Sequence, residues 1–224
     1  ESQGHSTTLT LNANINYDRD FDGHHVSALA GFEQSAYRYD GFNSKITAFD
    51  SDILDEFFAG SADKNTYSIG GSASETARRS FFGRLGYDFK SKYMIQALVR
   101  FDGSENFPKE NRWGVFPGVS AGWRLSEEAF IKDNAPWLTN LKLRASYGEQ
   151  GNDQISAFQY LTTFGYNTGT KYRLEMDGSK VNIILPSTIP NPNVTWEVAK
   201  TWNVGMDGNI NNGIFAWEFE AFKT

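Results

Sequence analysis

The sequence predicts an all-β fold of about eight antiparallel strands. The main observation is a strict alternation of apolar and polar residues, which is typical of strands with one apolar and one polar face. A second observation is that short and long connections alternate between the strands, with one exception. A third and weaker observation is that aromatic residues lie mostly near the predicted strand ends. Aromatic residues make up 15% of the chain, and 21 glycines stand against six prolines, which also favours strands over helices.

The first predicted strand, residues 9–17, shows the alternation most clearly, because every odd residue is apolar or aromatic and every even residue is Thr or Asn. Seven further segments follow it, of which two are less regular. The regular segments are 81–89, 93–101, 115–125, 141–147 and 194–206, and the less regular ones are 26–39 and 214–222. Segments of about nine residues or more can cross a bilayer when they are tilted.

The connections between these segments separate into two classes. Tight turns are predicted at residues 19–23, 90–92 and 209–213, whereas long connections cover 41–79, 103–112 and 150–193. The exception is 126–140, where Ser126 as N-cap and an acidic first turn predict a short helix. Transmembrane β-barrels sort short turns and long loops in this way. A soluble β-sandwich alternates its side chains too, so the pattern alone leaves both architectures open.

Two short motifs with metal-binding potential are better explained as turn residues. Asp18, Asp20 and Asp22 have the opening spacing of a calcium loop, but Leu29 stands where that loop needs a bidentate glutamate. A hairpin turn on Asp22 and Gly23 accounts for the same residues. The neighbouring His24 and His25 would point to opposite faces of a strand, so we expect no chelation by the pair.

Composition excludes several classes of function. The formal net charge of -6 argues against nucleic acid as a partner, since phosphate binding requires a basic surface. The absence of cysteine excludes disulfide scaffolds, thiolate metal sites and cysteine nucleophiles. The sequence contains no nucleophile elbow, no phosphate-binding glycine loop and no carboxylate pair placed for acid/base work. We therefore expect no enzymatic activity, no cofactor and no metal.

Residues 111–128, NRWGVFPGVSAGWRLSEE, resemble the barrel of SusC/RagA-type TonB-dependent outer-membrane transporters. Further stretches continue the resemblance in the family's order over residues 80–213. They are FGRLGYDF at 82–89, RFDGS at 100–104, LKLRASYG at 141–148 and IPNPNVTWE at 189–197. The resemblance implies an antiparallel up-and-down transmembrane barrel of about 22 strands, of which this chain would supply about eight together with long extracellular loops. Residues 1–224 would then be part of one barrel domain, with the plug domain and both barrel ends absent.

The resemblance also implies a function. It predicts an importer in the outer membrane of a Gram-negative bacterium that takes up oligosaccharides, glycans or peptides. Its partners would be a SusD-like lipoprotein lid, the TonB complex acting through the absent plug, and outer-membrane lipid. Two alternatives stay open: a soluble β-sandwich that binds carbohydrate, and a small self-closed eight-stranded barrel. The self-closed barrel requires residues 9–17 to pair with 214–222.

Three groups of residues follow as candidates. The long loops combine aromatic and polar residues, which suits either sugar binding or packing within the loops, and the substrate-binding candidates there are Tyr160, Tyr166, Tyr172 and Arg173. Charged residues expected to face the lumen are Arg84, Arg100, Arg124, Lys142, Arg144 and Glu197. Residues expected to contact hydrocarbon are Leu11, Leu85, Val99, Val119 and Leu143.

Overall fold

A computed structural model describes residues 1–51, 53–54, 56–167, 174–176, 179–181, 183–187 and 189–224. Within these residues the elements are mostly strands, with one α-helix and four short 3-10 turns. The strands are β1 (Ser2–Phe21), β2 (His24–Ile46), β3 (Tyr67–Phe89), β4 (Tyr93–Ser104), β5 (Trp113–Arg124), β6 (Leu138–Asn152), β7 (Phe164–Asn167), β8 (Leu174–Met176), β9 (Ser179–Val181), β10 (Ile183–Pro186), β11 (Glu197–Ile210) and β12 (Phe215–Lys223). The helix is α1 (Ala129–Asn134), and the 3-10 turns are Phe57–Ala59, Lys64–Thr66, Leu125–Glu127 and Asn211–Gly213.

The long strands form one antiparallel sheet with the order β1-β2-β3-β4-β5-β6-β11-β12, and this confirms the predicted all-β architecture. The first and last strands of this order, β1 and β12, are its two edges, and no pairing joins them among the described residues. The self-closed barrel, which requires that pairing, is therefore not formed. Two small ladders, β7 with β10 and β8 with β9, lie in the long connection between β6 and β11.

Two strands extend far beyond their predicted bounds. The alternation predicts the first strand at 9–17 and the third at 81–89, but β1 spans 20 residues and β3 spans 23. Since β2 also continues to Ile46, the long connection predicted at 41–79 shortens to residues 47–66. The sequence did not reveal the added length of β3, because residues 67–80 are mostly small and polar. Backbone pairing with neighbouring strands holds such a segment without an apolar face.

The chain divides into two compact units. The first unit comprises Glu1–Leu11 and Gln34–Ala77, and the second comprises Asn12–Glu33 and Arg78–Thr224. In the first unit, Arg38 Nε lies 3.5 Å from Glu75 Oε1 on the exposed surface, and Tyr67 donates a hydrogen bond to the Ser61 carbonyl. The residues discussed below lie in the second unit except where stated.

The register of the second unit separates two faces of the sheet. One row across the strands pairs Leu85, Ala97, Val119, Tyr147 and Trp202 in succession. The next row pairs Gly86, Gln96, Ser120, Ser146 and Asn203. Because side chains alternate along each strand, these rows belong to opposite faces. We call the face of the first row the apolar face and that of the second row the polar face.

The tight turns explain how neighbouring strands reverse direction. Asp22 and Gly23 have φ angles of 51° and 81°, the positive values that a type I′ hairpin turn needs. This confirms the predicted Asp-Gly turn. The turn after β3 uses Lys90 and Ser91 at φ 52° and 55°, although neither is glycine. The Asp88 carboxylate accepts a hydrogen bond of 2.6 Å from the Ser91 backbone N–H, which holds this turn in place.

The Lys90 and Ser91 turn offers a simple stabilising change. Lys90→Asn combined with Ser91→Gly places the preferred type I′ pair on the same backbone. A left-handed conformation costs an ordinary residue roughly 1–2 kcal/mol, and the entropy of the new glycine offsets part of the gain, so we expect about 1 kcal/mol of added stability. The measurement is the thermal unfolding midpoint of the protein, with Ser91→Ala as the control that keeps the left-handed backbone. A lower midpoint in the double variant would contradict this account of the turn.

The helix in the connection between β5 and β6 exists, but its predicted cap is wrong. The helix α1 begins at Ala129, and its N-cap is Glu128 without a side-chain hydrogen bond to the helix. Ser126 is instead buried in the preceding 3-10 turn. Glu127 also belongs to this 3-10 turn and not to the helix, and its carboxylate lies 2.6 Å from the Lys132 ammonium. Among the described residues, no helix is long and apolar enough to cross a membrane.

Candidate functional site

The apolar face remains open to the surroundings. Leu85 is 63% exposed, Val119 45% and Leu143 37%, while Val99 is half-buried. Leu11, in the first unit, is 60% exposed. A sandwich would bury such side chains between two sheets. In the described part of the chain the buried apolar residues are instead Phe107 and Phe116, which lie apart from this face.

Strand β5 carries a tryptophan at each end of its apolar side. Trp113 and Trp123 are ten residues apart, they point to the same face, and both are exposed. Between them the same side carries Val115, Pro117, Val119 and Ala121. Ten residues of strand span about 34 Å, and a tilt of about 45° reduces the height to about 25 Å. This matches the apolar band of an outer-membrane strand, with an aromatic residue at each interface.

Neighbouring strands add aromatic partners to both interfaces. Tyr93 pairs with Trp123, and their rings stack at 6.4 Å. The Phe81 ring stacks on Trp113 at 6.0 Å at the other end of β5. Tyr147 and Trp202 also pair, at 4.4 Å between ring centroids, in the row of Val119 between the two ends of β5. Tyr93 and Trp123 thus lie near strand ends, where the sequence analysis places most aromatic residues, whereas that analysis did not single out Trp113.

The polar face holds a groove of about 370 Å³. Its floor includes Gly86 and Gly122, and its polar lining includes Gln96, Ser120, Lys142, Arg144, Ser146 and Asn203. Hydroxyl, amide and cationic groups thus line one concave surface together with the apolar side chains of Met94 and Ile95. Such a surface can hydrogen-bond a polar solute or a polar protein segment.

Arg144 is the most strongly paired of the predicted lumenal charges. Its guanidinium donates to Asp207 at 3.2 Å, lies 3.5 Å from Glu220 and also contacts Glu218. Asn203 donates to Glu220 as well. These contacts tie β6, β11 and β12 together on the polar face. Three carboxylates around one guanidinium leave this part of the face negatively charged.

The other predicted lumenal charges differ in their partners. Arg100 forms a bidentate pair with Asp102, at 3.0 and 3.2 Å, and lies over the Phe82 ring at 5.3 Å. Glu197 accepts a hydrogen bond of 3.0 Å from Asn152. The remaining three cations form no ion pair with any residue that the structure describes: Arg84, Arg124 and Lys142. Of these, Lys142 lines the groove, so its charge is available to a solute.

A compact cluster lies at the strand ends that carry the long connections 105–112 and 153–196, and it anchors these connections. Phe107 is fully buried and packs on Trp196 with ring centroids 5.1 Å apart, and Phe116 packs on the same indole at 5.2 Å. The Trp196 N–H donates to the Arg112 carbonyl at 3.2 Å. We call Phe107, Phe116 and Trp196, with the polar residues described next, the loop anchor. The alternation predicts a strand over 194–206 that includes Trp196, and this bound is wrong because β11 begins at Glu197 and Trp196 packs in the loop anchor.

Polar contacts complete the loop anchor. Asn106 donates to the Asp153 carbonyl at 3.0 Å, and Asn111 donates to the Val194 carbonyl at 3.3 Å. The buried Asp153 carboxylate pairs with Arg78 at 2.7 Å. These bonds join the connection 105–112 to both ends of the long connection 153–196. Two of the segments that carry the family resemblance, 111–128 and 189–197, therefore meet in one packed cluster.

Two glycines make room for the Phe116 ring. A Cβ at Gly151 would lie 2.0 Å from Phe116 Cζ, and one at Gly114 would lie 2.4 Å from the same atom. Any side chain at these positions would collide with the ring. Packing against Phe116 thus explains why glycine stands at positions 114 and 151.

A second cluster lies at the turn end of the sheet, by which we mean the end with the connections 90–92, 125–137 and 211–214. The Glu128 carboxylate accepts hydrogen bonds from Tyr93 at 2.6 Å and from the Trp123 indole at 2.9 Å, and it pairs with Lys92 at 2.9 Å. The hydroxyl of Tyr93, followed by the Lys92 ammonium and the Trp123 indole, holds the pKa of Glu128 at about 2, below its ordinary 4.5. The same carboxylate raises the pKa of Lys92.

This cluster predicts a pH dependence of stability. Because the pKa of Glu128 is lower in the folded protein, its contribution is complete above the ordinary value of 4.5 and disappears as the pH falls through about 2. We expect Glu128→Gln to lower the thermal midpoint at neutral pH and the difference from wild type to close near pH 2. Midpoints measured over this range test the prediction, with Glu110→Gln at an exposed loop position as the control. A difference that does not change with pH would show that ionisation of Glu128 is not its source.

The predicted substrate-binding residues are not brought together by the described contacts. Tyr160 is half-buried, with its ring 6.4 Å from that of Phe158. Tyr166 lies in β7, where its backbone pairs with Ile184 of β10. Tyr172 and Arg173 lie outside the described residues. Their role in solute binding stays a prediction.

The family model described as "TonB dependent receptor-like, beta-barrel" matches residues 1–224. The chain belongs to this family. The TonB-dependent receptor chain is 36% identical over 194 residues to TonB-dependent receptor P39 of Formosa agariphila, which covers 86% of this chain and 18% of the relative. It is 31% identical over 206 residues to TonB-dependent receptor SusC of Bacteroides thetaiotaomicron, which covers 92% of this chain and 20% of SusC.

Solved structures agree with the sequence relatives. The chain superposes on the RagAB peptide importer in its closed-closed state with a TM-score of 0.82 and 26% identity, covering 99% of this chain and 23% of that one. The open-open state gives a TM-score of 0.81. The SusC/RagA resemblance and the barrel-segment fold are thus confirmed. The TonB-dependent receptor chain spans about a fifth of the length of the curated relatives it matches.

Proposed function

We propose that this chain is part of the wall and external loops of a TonB-dependent importer in the outer membrane of a Gram-negative bacterium. The observation that carries the proposal is β5, whose exposed apolar side runs between Trp113 and Trp123 over about the height of an outer-membrane apolar band. Membership of the TonB-dependent receptor family supports the same conclusion. In this proposal residues 1–224 are one part of a longer barrel domain, and the partner strands of β1 and β12 come from the rest of the protein.

The solute we propose is polar, either an oligosaccharide or a peptide. The groove on the polar face supports this class, because Lys142, Gln96 and Ser146 present a charge, an amide and a hydroxyl on one concave surface. The solved neighbour named as a peptide importer supports the peptide alternative. Tyr160, Tyr166, Tyr172 and Arg173 remain the loop positions proposed to contact the solute.

The proposed chemistry is binding and translocation rather than bond making. We propose a SusD-like lipoprotein as the lid over the external loops and the TonB complex as the source of energy, acting through a plug domain. The loop anchor suits this arrangement, since it fixes both ends of the connection 153–196 to the wall. A partner protein that binds the middle of this connection would then bind a segment whose two ends are fixed to the barrel wall.

Growth of a deletion strain tests the proposed function. The gene is removed in frame, and the strain is grown on a panel of glycans and peptides as sole nutrients. We expect growth to be lost on one class of polymer and restored by the intact gene. Restoration should fail with a gene whose plug region is deleted. Unchanged growth and uptake on every nutrient tested would contradict the importer function.

A further inference from the structure

The connection between β5 and β6 carries exposed apolar side chains where a periplasmic turn would normally be polar. Phe130 of α1 is 56% exposed, and Trp137, just before β6, is 51% exposed. The neighbouring turn between β11 and β12 adds Ile214 at 84% and Phe215 at 60%. Several exposed large apolar residues in one region mark an interaction surface, so we expect these four side chains to contact another molecule.

The position of Glu128 decides on which side of the wall this connection lies. Its carboxylate is bonded to the side chains of Tyr93 and Trp123, and both belong to the apolar face. Glu128 is also the N-cap residue of α1, so the helix starts on the apolar side of the sheet and not on the polar side. Phe130 follows only two residues later.

The second half of the connection is fixed to the β11–β12 turn. The Asn211 backbone N–H donates to the Trp137 carbonyl at 2.9 Å, and Leu138 pairs with Ile210 where β6 begins. Phe215 starts the apolar side of β12, which continues through Trp217 and Phe219. The exposed apolar residues of the turns are therefore continuous with the apolar face of the sheet.

We propose that residues 128–137 form an interfacial foot that lies in the phospholipid headgroup region and inserts Phe130 and Trp137 at the boundary with the acyl chains. This inference rests on the proposed function, since it needs the apolar face to contact lipid. The Trp137 indole has a polar N–H edge and favours this depth, and a short apolar surface that includes the Phe130 ring can lie in the interface without crossing the membrane. Glu128 and Lys92 neutralise each other, so the foot needs no anionic lipid.

The experiment uses the full-length protein in phospholipid nanodiscs. This chain has no cysteine, so Phe130→Cys and Trp137→Cys, made after removal of any cysteine elsewhere in the protein, can each carry an NBD fluorophore. We expect strong quenching by phospholipids brominated near the headgroup and weak quenching by aqueous iodide at both positions. Val119→Cys, measured with phospholipids brominated deep in the acyl chains, serves as the reference for deep lipid contact, and Lys109→Cys, an exposed position in the connection 105–112, as the aqueous reference.

The outcomes separate this inference from the proposed function. Quenching of both foot positions by iodide, with Val119 still quenched by lipid, would overturn the foot and leave the importer proposal intact. Protection of both foot positions from lipid and iodide alike would also overturn it, because the surface would then be covered by protein. Failure of Val119 to respond to brominated lipid would overturn the membrane-spanning wall itself. Two foot positions are used so that a variant that fails to fold does not decide the result.

Discussion

Phe107→Ala is expected to destabilise the full-length protein by about 3–5 kcal/mol, the usual cost of removing a fully buried aromatic ring. The ring packs on Trp196 in the loop anchor, and its loss leaves a cavity between the connection 105–112 and the end of 153–196. Folded barrels migrate faster on a gel than heat-unfolded ones. We expect the variant to lose this faster migration at a lower temperature than the wild type. We also expect faster proteolytic cleavage between residues 154 and 195, since the anchor would no longer hold both ends of this connection.

The matched control is Phe58→Ala. Phe58, in the first unit, is 82% exposed in a 3-10 turn, so its truncation should change stability by about 0.5 kcal/mol or less. Equal effects of the two substitutions would mean that the loop anchor does not stabilise the protein. An unchanged cleavage pattern in Phe107→Ala would mean that the long connection is held elsewhere.

Leu85→Arg is expected to cost about 2–4 kcal/mol, the measured range for a cation placed near the bilayer midplane on a barrel strand. Leu85 is exposed on the apolar face and pairs with Ala97. Its neighbour in sequence, Arg84, pairs with Leu98 on the polar face. Folding of the full-length protein into lipid vesicles, followed over a denaturant series, measures this cost.

Leu98→Arg is the control because it introduces the same side chain one register position away. Leu98 is 40% exposed on the polar face, where an arginine stays in water, so we expect a change of about 0.5 kcal/mol or less. A larger cost at Leu98 than at Leu85 would reverse the assignment of the two faces. Similar small costs at both positions would mean that neither face contacts hydrocarbon.

The two faces could be predicted from the sequence because alternation is a local property. Leu85 and Val119 were assigned to one side from their own strands, and the register joins them through Ala97 in a single row. Strand length was less predictable. Residues 67–80 are small and polar, and only pairing with neighbouring strands shows that they are part of β3.

The loop anchor and the Glu128 cluster could not be predicted from spacing. Phe107 lies in a connection without periodicity, and its partner Trp196 is 89 positions away in sequence. The sequence around Glu128 predicts only the acidic first turn of a helix, whereas its partners Tyr93 and Lys92 belong to another hairpin. In the sequence, the available signal for the loop anchor is the pair Gly114 and Gly151. The Phe116 ring needs room on two strands, so both strands carry a glycine beside it. Such signals become interpretable only when the register is known.

The central claim is that the alternating apolar side chains touch lipid in the full-length protein. Spin labels at the adjacent positions Val119→Cys and Ser120→Cys of β5 test it most directly, through collisions with oxygen, which concentrates in hydrocarbon, and with a nickel chelate, which stays in water. We predict that the label at 119 collides mainly with oxygen and the label at 120 mainly with nickel. Nickel access at 119 equal to that at 120, or protection of 119 from both reagents, would contradict the claim.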